Sequence, residues 1–120
     1  IDLIIPVPLA KKRQRERGYN QSMEIAKGVS EVTGLPIVDN VLIRKRFVES
    51  QTTKDRWQRR ENVKDVFCVR DTARIQHRHV LLIDDVITTG ATIIACGEQL
   101  KQAPGIRISV LSLGFAKSNG

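Results

Sequence analysis

Two adjacent carboxylates, Asp84 and Asp85, run directly into a small hydroxylated turn in Val80-Leu81-Leu82-Ile83-Asp84-Asp85-Val86-Ile87-Thr88-Thr89-Gly90-Ala91-Thr92. An ionised carboxylate only accepts hydrogen bonds, so the pair suits the two vicinal hydroxyls of a ribose, which donate them. Thr88, Thr89 and Thr92 supply hydroxyl donors around Gly90, which has no Cβ and lets the backbone close on phosphate oxygens. A single sugar phosphate could satisfy both halves. The run lacks the lysine of a Gly-x-x-x-x-Gly-Lys-Ser/Thr loop and the three spaced glycines of a dinucleotide fold, so the commonest phosphate loops are excluded. Capping of an ordinary strand-to-helix loop accounts for one oxygen acceptor, not for two aspartates and three threonines together.

Positioning such a turn requires a buried strand before it and a helix after it. Val80 to Ile83 is a continuous apolar run, as expected of a central parallel strand covered on both faces, and its polar residues fall at the carboxyl end. In open α/β sheets ligands bind at that edge, where free N–H groups at a helix start attract an anion. Residues 2 to 7 read as a first strand, residues 20 to 33 as a helix stopped by Gly34 and Pro36, and 38 to 43 and 66 to 69 as further strands. Ile25, Val29 and Val32, with Ala26, define the buried side of that helix; Glu24, Lys27 and Glu31 face water. Gly28 costs about 1 kcal/mol relative to alanine unless something packs closely on it. After the threonine turn, Ile93, Cys96, Gly97 and Leu100 form a second apolar helix face, and 106 to 115 a last strand. Alternating strands and helices predict a mainly parallel sheet flanked by helices, built with right-handed crossovers.

The 120 residues are the size of one domain, with a formal net charge of +7. Residues 11 to 17 carry net +4, from Lys11, Lys12, Arg13, Arg15 and Arg17 against Glu16. Residues 44 to 62 carry a further +4, so the rest of the chain is at −1. If the strands at 2 to 7 and 38 to 43 flank the strand at 80, both basic segments emerge beside Asp84 and Asp85. No segment approaches a membrane-spanning length and no signal-peptide pattern is present, which makes the cytoplasm the default compartment and membrane insertion unexpected. Cys68 and Cys96 lack metal-site spacing and read as buried free thiols. His77 and His79 precede the strand at 80 and are expected at the surface, away from the ligand edge. The chain opens on Ile1 at a core strand, as expected of a C-terminal piece of a longer protein.

The gap-free run from Val80 to Thr92 resembles the signature of type I phosphoribosyltransferases, which bind 5-phosphoribosyl 1-pyrophosphate (PRPP). The resemblance implies that Asp84 and Asp85 hold the ribose 2- and 3-hydroxyls. It assigns the 5-phosphate to Thr88, Thr89, Gly90, Ala91 and Thr92, with Val86 and Ile87 in the same turn. Outside the signature, Val7-Pro8-Leu9, Arg17-Gly18-Tyr19-Asn20-Gln21-Ser22 with Ala26, Gln51, and Arg59-Arg60-Glu61-Asn62-Val63 with Phe67 are similar to the competence protein F (ComF, GntX-like) group. These matches span about Ile5 to Leu113. They place Arg17 near the pyrophosphate, while Arg44 and Lys45 match an Arg-Lys that ends a strand and contacts pyrophosphate. Residues 46 to 62 would be the flexible catalytic loop. Mg²⁺ is the implied cofactor, reached by Asp84 and Asp85 only through water or substrate, with no direct protein ligand. Implied partners are PRPP or ribose 5-phosphate, single-stranded DNA and proteins of the competence machinery. The group's zinc ribbon and hood are missing from these residues.

Breaking the bond at ribose C1 releases pyrophosphate and builds positive charge on the sugar. Cations must neutralise the leaving group while carboxylates stay near the ring. Asp84, Asp85, Arg44 and Lys45 are therefore the catalytic candidates. For each basic residue the competing reading is a solvated surface charge, and Asn20 and Tyr19 equally suit a helix start, as cap and packing residue. Two other functions compete: a nucleobase salvage transferase, and a non-catalytic module whose two basic segments contact the phosphates of single-stranded DNA, with Arg59 and Arg60 as the residues that test it. Few aromatic residues are available for stacking on bases, Trp57 among the arginines being the exception. Neither the acceptor nor the oligomeric state is legible in the sequence.

Overall fold

A computed structural model describes residues 1–9, 20–49, 62–87 and 90–115, with the backbone alone at 46–49, 62–66 and 115. The basic segment 11–17, the stretch 50–61, Thr88 and Thr89 lie outside the described residues. So do the expectations that fall on them, including Arg17, Tyr19, Gln51, Trp57, Arg59 and Arg60.

The elements are β1 (Leu3–Pro6), α1 (Gln21–Thr33), β2 (Leu42–Glu49), β3 (Asn62–Val69), a 3-10 turn (Thr72–Arg74), β4 (His79–Ile87), α2 (Ala91–Leu100) and β5 (Arg107–Phe115). β1, β4 and β5 form a parallel sheet in that order, with Leu3 beside Val80, and His79 beside Arg107. The central strand is the apolar run ending in the two aspartates, buried from Val80 through Asp84. Its two faces build two cores. Leu3, Ile5, Val80 and Leu82 pack on one side with Cys96, Leu100, Phe67 and Ile75. Ile4, Leu81 and Ile83 pack on the other with Ala26 and, partly buried, Ile25 and Val29. An element covered on both sides must be apolar on both, which explains the unbroken run. β5 borders the sheet, leaving Val110, Leu111 and Leu113 exposed.

Three details of the strands differ from the sequence expectation. The strand placed at 38 to 43 begins instead at Leu42 and continues through Arg44, Lys45 and Arg46 to Glu49. Val41 is fully buried ahead of it, and Ile37 makes one isolated parallel bridge to Ile4. The strand expected at 66 to 69 is eight residues long. It pairs antiparallel with β2 in a separate two-stranded sheet, with Arg44 opposite Phe67, so β2 is not a neighbour of β4.

Val32, expected on the buried face of α1, is 87% exposed. α1 spans about 20 Å while the four-residue β1 beneath it spans about 13 Å, so the last helical turn overhangs the sheet. Ser22 is buried at the other end of that face. Gly34 closes α1 in the left-handed conformation, its N–H donating to Ser30 O at 2.8 Å. Among the described residues no helix is long and apolar enough to cross a membrane.

Candidate functional site

At the carboxyl end of β4 the side chains of Asp84 and Asp85 open onto a cavity of about 330 Å³. Val7, Pro8 and Leu9 line it from the end of β1, Asn20, Gln21 and Ser22 from the start of α1, Arg44 from β2, and Val86 and Thr92 from either side of the threonine turn. A smaller recess of about 30 Å³ brings Asp84, Val86, Ile87, Gly90, Ala91 and Thr92 onto one wall. The carboxylates and the described part of the turn are therefore adjacent. Thr88 and Thr89 lie between described residues without being among them.

Each aspartate commits one oxygen to the backbone. Asp84 Oδ1 accepts from the Asp85 N–H at 2.9 Å and Asp85 Oδ1 from the Val86 N–H at 2.8 Å. These bonds hold both carboxylates at the strand end. Ser112 on β5 steadies the same corner: its hydroxyl lies 3.2 Å from the Asp85 carbonyl and 2.8 Å from that of Gly114. Asp84 is buried to 9% exposure. Burial, reinforced by the hydrogen bond and charge of Asp85, pushes its carboxyl up to about 6, against the opposing pull of the Asp85 N–H and the Arg44 guanidinium. Beneath it lies Cys96, fully buried, its thiol pushed up to about 12 by burial and by the charge of Asp84. Both cysteines are free, but Cys68 is only half-buried, in contrast to the buried thiol expected there.

Two helices begin at this cavity, and they begin differently. α1 is capped by Asn20, whose Oδ1 accepts from the N–H groups of Ser22 at 3.0 Å and Met23 at 3.4 Å. Asn20 Nδ2 also donates to the Val7 carbonyl at 3.3 Å, tying the helix start to the end of β1. The sequence left Asn20 open between a cap and a site residue; it is a cap whose side chain lines the cavity. α2 starts at Gly90, in the left-handed region at φ 83°, which supplies no capping side chain. A glycine there leaves the first turn approachable by a ligand and avoids the strain an L side chain meets at positive φ.

Arg44 does not end its strand, as expected, but sits third in β2. Its guanidinium stacks 5.1 Å from the centroid of Phe67 directly across the hairpin. From that seat it lines the cavity with the aspartates. Lys45, next along the strand, is exposed and does not line the cavity; neighbouring strand residues point to opposite faces. His79 stands at the far end of β4, its Nε2 2.7 Å from Ser109 Oγ, and His77 is exposed. Sequence reasoning missed Ser22 as a buried wall residue. Its position four before Ala26, on the helix face that meets the sheet, was the available signal.

No protein-family model matches the chain. It is 34% identical to competence protein F of Haemophilus influenzae over 116 residues, covering 96% of this chain and 51% of that protein. It is 31% identical to DNA utilization protein YhgH of Escherichia coli O157:H7 over 112 residues, covering 93% and 48%. The chain thus spans about half the length of the curated relatives it matches. Among solved structures, a purine phosphoribosyltransferase from Pyrococcus horikoshii superposes with a TM-score of 0.62 at 15% identity, covering 98% of this chain and 71% of that one. Adenine phosphoribosyltransferase from Trypanosoma brucei, solved with AMP, pyrophosphate and ribose 5-phosphate, gives 0.54 at 20% identity, covering 94% and 44%. These likenesses establish the type I phosphoribosyltransferase fold.

Proposed function

The chain is a homologue of competence protein F with the fold of a type I phosphoribosyltransferase, and from that premise we propose that it binds PRPP and transfers the phosphoribosyl group to an acceptor. The observation that carries this reading is the meeting of Asp84, Asp85, Thr92 and Arg44 around one cavity. In it the ribose 2- and 3-hydroxyls donate to the carboxylate oxygens of Asp84 and Asp85 that the backbone leaves free. The Thr92 hydroxyl and the first turn of α2 receive the 5-phosphate. Arg44, together with Arg17 from the first basic segment, offsets the charge of the pyrophosphate; Lys45, on the other face of β2, is left out of this role. The C1–O bond breaks with its electron pair leaving on pyrophosphate; the acceptor's lone pair forms the new bond to C1, and the acceptor releases a proton. Asp84 and Asp85, close to the ring, stabilise the positive charge that develops there.

Mg²⁺ would add charge neutralisation at the pyrophosphate. Among the described residues no three His, Cys, Asp or Glu side chains group as a metal cage. Two adjacent carboxylates fit an ion held mainly by water and substrate. The names of the relatives, competence and DNA utilization, lead us to assign this chemistry to the handling of imported DNA.

Calorimetric titration with Mg²⁺-PRPP, ribose 5-phosphate and single-stranded DNA tests the reading. Asp85→Asn removes a charged acceptor from a ribose hydroxyl and should weaken Mg²⁺-PRPP about 10- to 100-fold. An unchanged titration rejects the assignment.

A further inference from the structure

At the opposite end of the sheet from the cavity, four arginines gather where the chain returns from β3 to β4 and enters β5. Arg70 Nε donates to the Asn40 carbonyl at 3.0 Å and Arg74 Nη1 to Asn40 Oδ1 at 2.7 Å. One asparagine therefore holds two guanidinium groups by one donor each, leaving most of each fork for another acceptor. The Arg107 N–H donates to the Arg78 carbonyl at 2.9 Å, which sets these two residues side by side at the starts of adjacent strands. All four are exposed, and none is ion-paired among the described residues. Lys101, at the end of α2, adds a further charge to this edge. Its acidic neighbours are Asp2, Asp39 and Asp71. Asp2 accepts the His79 N–H at its Oδ2 at 2.7 Å, and that bond, helped by the positive charges of the N-terminus and of Arg78 nearby, holds its carboxyl below the usual range.

We propose that this edge, through Arg70, Arg74, Arg78 and Arg107, binds the phosphate backbone of double-stranded nucleic acid. Guanidinium forks match phosphate oxygens, and a row of them along one edge fits a polymer of phosphates better than a single small anion. Proteins that hold single strands add aromatic platforms on which bases stack. This edge has none among its described side chains, since Phe67 is buried in the core. Contacts made only to phosphates position a duplex without reading its sequence. The surface is separate from the sugar-phosphate cavity and does not depend on its assignment.

The test is anisotropy of a labelled short duplex with the full chain between about 50 and 200 mM salt, where log affinity falls with log salt by about 0.9 per phosphate contact. Changing all four arginines to Gln should reduce that slope by about 3 to 4, and Arg78→Gln/Arg107→Gln alone by about 2. The second variant leaves the Asn40 contacts intact and decides the matter if the first fails to fold. Mg²⁺-PRPP titrations should be the same in wild type and variants. The inference is overturned if the wild-type chain does not bind the duplex, or binds a single strand of equal length more tightly. It is equally overturned if the slope survives Arg78→Gln/Arg107→Gln but falls in Arg59→Ala/Arg60→Ala.

Discussion

Replacing Asp84 by Asn should stabilise the protein while removing its proposed grip on the sugar. The Asp84 carboxyl is raised from 3.8 to about 6, chiefly by burial, so its ionised form is held at a cost. At about 1.4 kcal/mol per pH unit, and reduced by the solvent screening open to a carboxyl at the cavity wall, that cost is about 1–2 kcal/mol at neutral pH. Asparagine has the same shape and keeps an oxygen for the Asp85 N–H, so much of the cost should be recovered. An increase of about 1–2 kcal/mol corresponds to a rise in Tm of about 4–8 °C for a domain of this size. The pH dependence is diagnostic. Between about pH 4 and 6 the unfolded chain has released the Asp84 proton and the folded chain still binds it, so wild-type stability falls as pH rises, by up to about 1.4 kcal/mol per unit. Below that window both states hold the proton and above it neither does. Thermal melts of both proteins from about pH 4 to 7.5 should therefore diverge through the window and run parallel above it. An Asp84→Asn chain no more stable than wild type at about pH 7.5, or a difference independent of pH, refutes the reasoning.

In the proposed complex the same carboxyl governs the ligand. If the ribose hydroxyls donate to its ionised form as proposed, Mg²⁺-PRPP affinity should fall by up to about tenfold per pH unit below about 6, beyond the ligand's own titration, as read by calorimetry. Gly28, exposed in mid-helix with nothing within 4 Å of an added Cβ, gives a gain: Gly28→Ala should raise the urea midpoint by an amount equivalent to about 0.5–1 kcal/mol. Asn20→Ala removes the acceptor of two helix N–H groups and the link to Val7; a loss of about 1–2 kcal/mol in urea unfolding is expected.

The central strand and the two helices were legible because each is encoded locally. Val80 to Ile83 is apolar without interruption, Asn20 and Gly34 bracket α1, and Gly90 opens α2. The hairpin was not. Its first strand runs through Arg44, Lys45 and Arg46, which carry no apolar alternation, and what makes it a strand is an antiparallel partner twenty residues away. Pairing between distant segments leaves little trace in either one. Val32 was misjudged for a different reason: periodicity reports which way a helical residue points, but not whether the sheet extends that far. Of the site, the aspartates and Thr92 could be read in a single run, whereas Ser22 and the seat of Arg44 on Phe67 depend on how α1 and the hairpin dock.

Asp84 and Arg44 belong to different sheets. The carboxylate is anchored by the parallel ladder, while the cation rides on the antiparallel ribbon of β2 and β3. No strand ladder joins the two sheets among the described residues; what joins them is the shared core, in which Leu42 and Phe67 pack with Leu3, Ile5 and Val80. The spacing of carboxylate and cation is thereby set by side-chain packing among the parallel sheet, α2 and the hairpin rather than by strand pairing, so a change in that core reaches the electrostatics of the cavity directly.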